Sequence, residues 1–262
     1  MNLEPLVTRW MPTFLLLLAR CGGVVALGPV VGSSNLPPAL RAGLAAALAI
    51  LLTPLAAALP MPLPASAPGL VGSLLGELLI GAVLGLAVRF LFAGIGMAGE
   101  LAAVQMGIGL PSALDPVSMG QVTAVNNLLD QVAILVFLVV GGHHALLSAL
   151  AQSVSLVPPL TVTFRGSSLD FLLGLFGAAL LLALRLAAPV GAAMLATMAT
   201  LGLLNRIAPQ VNVFMVSFAL TLGVGLLVLL AALPVMGRVM AGSFEQLPVT
   251  LGELLARMRH GI

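Results

Sequence analysis

Residues 171–203 read FLLGLFGAALLLALRLAAPVGAAMLATMATLGL, an apolar run in which Arg185 is the one charge. A helix needs roughly 20 apolar residues to cross a hydrocarbon core about 30 Å thick. This run exceeds that length and has room to tilt, bend or break. Runs of the same character lie at about 11–32, 40–59, 70–97, 131–152 and 210–236. Leu and Ala dominate them and no alternating strand pattern intervenes. The expected fold is therefore an all-α membrane protein with about six hydrophobic segments.

Composition agrees. The 262 residues are 61% hydrophobic and 7% charged, and the mean hydropathy is +1.22. A soluble domain carries roughly 25% charged residues, so neither a water-soluble globule nor a disordered chain fits. Ten arginines face eight acids, with no lysine, for a net charge of +2. Only Arg257 and Arg259 stand close together, which is not the clustered positive face that nucleic-acid binding needs. Cys21 is the single cysteine, so no internal disulfide forms. Glu4 and Arg9 precede the first run, which continues through Arg20 to about Val31. It is expected to remain as a membrane helix rather than be cleaved as a signal. Arginines outside the spans favour, by a small margin, cytoplasmic termini.

The connections carry the punctuation. Residues 60–68 read PMPLPASAP, expected to be extended. Pro158, Pro159, Arg165 and Gly166 mark a second connection, and Arg206 and Pro209 separate the last two long runs. The longest water-facing candidates are residues 107–130 and the tail after Met236. No internal repeat is visible.

Small residues recur at helix-contact spacing: Gly72 and Gly76, Gly81 and Gly85, then Gly94, Gly96 and Gly99, with Gly28 and Gly32 earlier. Such positions let backbones approach closely, within this chain or against other subunits. Charges inside apolar helices cost a few kcal/mol on insertion scales, so they face partners or water. Glu77, Arg89, Glu100, Arg185 and Arg20 are of this kind. Arg89 and Glu100 share a face but stand roughly 16 Å apart along a helix axis. Each therefore needs another helix, another subunit or a water-filled space. A structural ion pair and a part in a proton path are both open.

Polar residues concentrate in 100–131, ELAAVQMGIGLPSALDPVSMGQVTAVNNLLDQ. Gly107, Gly109 and Pro111 break the preceding helix, and Asp115-Pro116 favours a turn. Beyond Pro116, Thr123, Asn126, Asn127 and Asp130 fall on one helical face. Irregular backbone at membrane depth survives only inside protein or against a water-filled cavity. The stretch reads either as an ordinary extramembrane loop or as one that lines or plugs a pore. Enzyme chemistry finds little support. His143 and His144 are adjacent, point about 100° apart on a helix and make a poor metal pair. His143 is expected to cap a helix end or hydrogen-bond at an interface. No HExxH, CxxC, Gly-x-Ser-x-Gly or nucleotide-binding loop is present.

Three stretches together resemble the FliR/SctT family of type III export proteins. They are GELLIGAVLGLAVRFLFAGIGMAGELAAVQMG (76–107), LVFLVVGGHHALLSAL (135–150) with Gly142-His143 at the family's Gly-His, and LGLLNRIAPQVNVFMVSFALTLGVGLLVLL (201–230). The resemblance implies a non-enzymatic, cofactor-free and metal-free component of the flagellar export gate. Its expected partners are FliP-like and FliQ-like subunits, FlhB-like and FlhA-like export proteins, unfolded flagellar subunits and membrane lipid. It implies long helical hairpins, residues 1–195 being FliP-like and 196–262 a FliQ-like hairpin. The expected place is the bacterial inner membrane within the flagellar basal body, with parts lifted above the bilayer plane.

Carried over residue by residue, Met106, Gly107, Gly109, Leu110, Pro111, Asp115, Pro116 and Met119 fall at the family's pore-closing loop. The chain departs from some members at Leu110 and Ala113, where aromatic residues often stand. Leu110 can still exclude water, whereas the small Ala113 side chain seals less well. Met106 and Met119 either fit around a varied polypeptide or simply pack. Glu77, Arg89, Glu100 and Arg185 are interface or pore charges. Asn126, Asp130, His143, Arg206, Pro209 and Gln210 are interface candidates. The alternatives are a virulence type III secretion counterpart and a stand-alone ion or solute transporter, the latter disfavoured by the missing repeat.

Overall fold

The computed structural model describes residues 10–29, 37–57, 66–108, 124–159, 166–207 and 213–259. Among them the regular structure is helical: α1 Met11–Leu27, α2 Pro38–Ala57, α3 Ala67–Gln105, α4 Ala124–Val139, α5 Gly142–Leu156, α6 Gly166–Ile207, α7 Val213–Glu245 and α8 Leu247–Arg259. Proline opens several of them. Pro12, Pro38, Pro68 and Pro248 each sit in a first turn, where the missing N–H has no intrahelical partner to lose. Pro54, Pro189 and Pro234 lie inside α2, α6 and α7, which nonetheless continue.

This is an all-α membrane protein, and the six expected runs map onto the helices with corrections. Four helical stretches are long and apolar enough to cross a membrane: Pro38–Ala57, Ala67–Gln105, Asp170–Ile207 and Val216–Met258. α1 is shorter, with 17 residues, about 26 Å at 1.5 Å per residue. The expected single run 131–152 is two helices, because Gly141 between α4 and α5 adopts a left-handed φ of 78°. That conformation is open to glycine and ends one helix before the next begins. The 60–68 segment is not extended to its end, since Pro68 is already in the first turn of α3. The tail after Met236 is helical, with α7 running on to Glu245 and α8 following, and it keeps Glu245, Gln246, Glu253 and Arg257 exposed. Leu247, Leu251, Leu254, Leu255 and Met258 recur at helical spacing and are buried, which is why this terminal helix packs instead of dangling.

The chain forms two compact units, each assembled from separate stretches. The first takes in Met1–Phe90, Gly141–Leu175 and Glu245–Ile262. Here α1 packs on α2, α5 packs on α8, and α2 touches α5. α1 and the first half of α3 meet backbone to backbone. A Cβ on Gly81 would run into the Arg20 carbonyl, and one on Gly23 into the Leu78 carbonyl. The Arg257 guanidinium lies 4.8 Å over the Phe171 ring.

The second unit takes in Leu91–Val140 and Phe176–Phe244. The last half of α3 is its axis. Gly94 lies against Ala179 and Gly191 against Gln105, so α3 and α6 run parallel. α4 and α7 run antiparallel to α3, shown by Gly99 against Asn126, Phe92 against Phe137 and Phe244, and Met106 against Gly225. The three phenylalanine rings stand 5.3 to 5.4 Å apart in tilted and edge-on contacts, the separations such pairs prefer. α6 runs about 24 Å beyond the level of Gln105 before it ends at Ile207.

Candidate functional site

The site begins where α3 stops. Met106 N–H donates to Ala102 at 3.0 Å, Gly107 N–H to Val104 at 3.1 Å and Ile108 N–H to Ala103 at 3.0 Å. Gly107 has a φ of 81°. This is the Schellman arrangement, in which a left-handed residue folds the chain back so that two amides satisfy the last carbonyls of the helix. A glycine suits the position because an L side chain there strains the backbone. The helix break expected at Gly107 is thus a built stop with a defined exit direction. Gly109, Leu110, Pro111, Asp115, Pro116 and Met119 lie outside the described residues.

Met106 is fully buried. Beside it the Gln105 side chain fills the space a Cβ on Gly191 would need, its Oε1 3.3 Å from that point. The same Oε1 is buried with no hydrogen-bond partner among the described residues. On the other side of α3 the polar stripe of α4 faces protein. A Cβ on Gly96 would stand 3.3 Å from Asn126 Oδ1 and 3.5 Å from Asp130 Oδ1, and one on Gly99 would stand 2.7 Å from Asn126 Cα. The small residues of α3 are therefore the seat of the α4 polar face, which corrects the reading of 107–130 as water-facing throughout. Gly72 is different, with nothing within 4 Å.

The charges divide into two kinds. Glu77 is buried, and Arg20 Nε donates to its Oε2 at 2.6 Å. Arg20 also donates through Nη1 to Ser153 Oγ at 3.0 Å and through Nη2 to the Val157 carbonyl at 2.9 Å. The Ser153 hydroxyl itself donates to the Leu150 carbonyl at 2.7 Å. One guanidinium fork thus ties α1, α3 and the end of α5 together, the geometry for which arginine is suited. Arg89, Glu100 and Arg185 instead stand exposed on apolar helices. Because α3 and α6 run parallel, Glu100 and Arg185 sit at nearly the same level. Arg206 is exposed in the last turn of α6, and Pro209 and Gln210 lie outside the described residues.

His143 sits in the first turn of α5, after a Gly141 N-cap that makes no side-chain cap bond. Its ring stacks on His144 with centroids 4.0 Å apart and 37° between planes. The two rings do not diverge as their helical positions imply; side-chain torsions bring them back together. No three His, Cys, Asp or Glu side chains gather among the described residues.

Two features escaped the sequence reading. Nothing in it joined Arg20 to Ser153 and Val157, and nothing marked Thr221 and Gly225 on α7 as neighbours of Met106. The Gly223-Val224-Gly225 pattern is visible as small residues, but the partner is not.

Comparison with known proteins follows these landmarks. The sequence pattern that defines "Bacterial export proteins, family 1" matches residues 11–247. The chain is 26% identical over 258 residues to the "Flagellar biosynthetic protein FliR" of Escherichia coli (strain K12), covering 95% of each. It is 34% identical over 188 residues to the protein of the same name from Pectobacterium carotovorum subsp. carotovorum, covering 68% of this chain and 69% of the relative. The Bacillus subtilis (strain 168) protein of that name is 27% identical over 248 residues, covering 94% of this chain and 95% of the relative. A match spanning α1 to the start of α8, with two of these relatives aligned over about 95% of their length, means that this chain belongs to the FliR family of bacterial export proteins.

Proposed function

We propose that this chain is a membrane-embedded, non-enzymatic component of the flagellar protein export gate, assembled with FliP-like and FliQ-like subunits. The family relationship supports the export role. The single observation that carries the assembly is the surface of α6 and α7. Leu195, Leu203, Ile207, Leu227 and Leu230 are each more than 60% exposed. On α6 Arg185 and Arg206 are exposed, with no ion pair among the described residues. Lipid accepts the leucines and rejects the arginines. Neighbouring subunits with an apolar face and a few polar groups accept both. In this reading residues 1–195 are the FliP-like part and 196–262 the FliQ-like hairpin. FlhB-like and FlhA-like proteins deliver unfolded flagellar subunits, and the complex sits in the bacterial inner membrane at the basal body.

The segment 106–121 closes the pathway in this proposal. It leaves α3 at a fixed turn and returns at α4, whose polar face is held against α3. A closed state then needs only the segment between two anchored ends, and export needs it to move aside.

Two experiments test this. Co-expression with FliP-like and FliQ-like proteins, with one tag on this chain, should yield a single detergent-stable complex. A lone monomer, with both partners well expressed, overturns the assembly and favours a transporter acting by itself. Deleting residues 110–115 should make membranes holding the complex leak small ions. Conductance unchanged from wild type, with the complex intact, overturns the closing role.

A further inference from the structure

A cleft of about 250 Å³ opens between α1 and α2. Its walls are Trp10, Met11 and Phe14 at the start of α1, and Ile50 and Thr53 in the second half of α2. The two helices therefore run antiparallel here, and the cleft lies at the end of the pair where α1 begins. Local sequence marks the place. Thr53 donates from its hydroxyl to the Ala49 carbonyl at 2.7 Å, and Pro54 follows it inside α2. Both features bend helices.

We infer that this cleft seats one acyl chain of a membrane phospholipid, with the Trp10 indole at the level of the headgroup, and that the seated chain fixes this end of the α1–α2 pair in the bilayer. The inference is independent of the closing role proposed for residues 106–121.

The lining sets the chemistry of the occupant. Met11, Phe14 and Ile50 present only apolar surface, and the Thr53 hydroxyl is already bonded to its own helix. Water stays in such a space only where several polar groups hold it, and a polar ligand meets the same lack. Left empty, the walls forfeit their dispersion contacts. The surroundings set the source. α2 is long and apolar enough to cross a membrane and is largely unburied. Met11 is 59% and Ile50 63% exposed, and Leu15, Leu51 and Leu55 beside them are exposed as well. The cleft is thus continuous with an apolar surface turned towards hydrocarbon. Trp10 sets the direction. Tryptophan concentrates where membrane meets water, its ring in the apolar layer and its N–H among the headgroups. Trp10 stands just before the first turn of α1 and is 41% exposed, so the membrane boundary falls at the mouth of the cleft.

Trp10 is the single tryptophan of the chain, so its fluorescence reads the cleft directly. The full chain is placed in phosphatidylcholine vesicles in which a rising share of the lipid carries brominated acyl chains, since bromine quenches an indole that it touches. Wild-type emission is expected to fall strongly. Ile50→Phe enlarges a wall residue that is exposed and tolerates the change; it fills the cleft and is expected to lose most of the quenching. Leu51→Phe adds a similar ring outside the wall and should quench like the wild type. Emission indifferent to bromine overturns the seat. So does equal quenching in the wild type and Ile50→Phe, or an equal loss in both variants.

The assembled complex shows whether a neighbouring subunit takes the cleft instead. Native mass spectrometry of the complex, purified in mild detergent, is expected to find a bound phospholipid that the Ile50→Phe complex lacks. Equal phospholipid on the two complexes, or none on either, means that protein fills the cleft in the assembly and overturns the inference.

Discussion

Arg20 and Glu77, 57 positions apart, meet Nε to Oε2 at 2.6 Å with neither side chain more than 1% exposed. The pair joins two helices that local sequence patterns treat as independent apolar runs. It lies beside the closest backbone contact between them, where Gly81 abuts the Arg20 carbonyl. Close backbones and a buried ion pair are linked here. Without glycine the helices stand too far apart for the fork to be held between α1, α3 and Ser153 on α5.

Breaking this pair from one side leaves a buried charge uncompensated, which costs about 3–5 kcal/mol. Arg20→Met or Glu77→Leu alone should lower the thermal midpoint of the detergent-solubilised chain sharply. The double variant should recover most of the loss, because a well-packed apolar pair of similar volume is often neutral. A double variant as unstable as the singles would mean that Ser153 and Val157, not Glu77, are the important partners.

The glycine pattern of α3 should split by position. Gly81→Ala drives a methyl group into the Arg20 carbonyl, and overpacking of this kind costs about 1–3 kcal/mol. Gly72→Ala meets nothing within 4 Å and should stabilise the isolated chain by about 0.5–1 kcal/mol through helix propensity. Comparing melting of the chain alone with recovery of the complex separates two roles. A Gly72→Ala chain that is stable alone yet recovers less complex marks that face as a subunit contact.

Gly107→Ala forces an L residue into the left-handed region, at about 1–2 kcal/mol. It should loosen the end of α3, and Gly107→Asn should be milder because asparagine tolerates that conformation. Proteolytic nicking between α3 and α4 should rise in the order wild type, asparagine, alanine. Equal nicking in all three would mean that the turn does not govern the loop.

Phe137 is 2% exposed and contacts both Phe92 and Phe244. Phe137→Ala should destabilise the chain by about 3–5 kcal/mol, while Phe137→Leu should cost less by retaining most of the volume. Melting of the two variants checks this. Similar small losses would show that the cluster collapses to fill the gap.

Local patterns determined a good part of this protein. Long apolar runs with few charges allow only helices, since no other open structure satisfies its backbone in lipid. Glycine at 107 marked the end of α3, and the family resemblance was carried by ordered motifs across the chain. The limits of local reading are equally physical. Helix ends at 67 and 245 were misplaced because proline is tolerated in a first turn and because the amphipathic tail finds a partner on α5. Gly141 splits an apolar run that hydropathy reads as one. Only the tertiary structure decided that Arg20 belongs to Glu77 and Ser153, that α3 and α6 run parallel, and that Met106 lies against Gly225. Those partners are 57 to 133 residues apart, and periodicity gives the buried face of a helix without naming what lies against it.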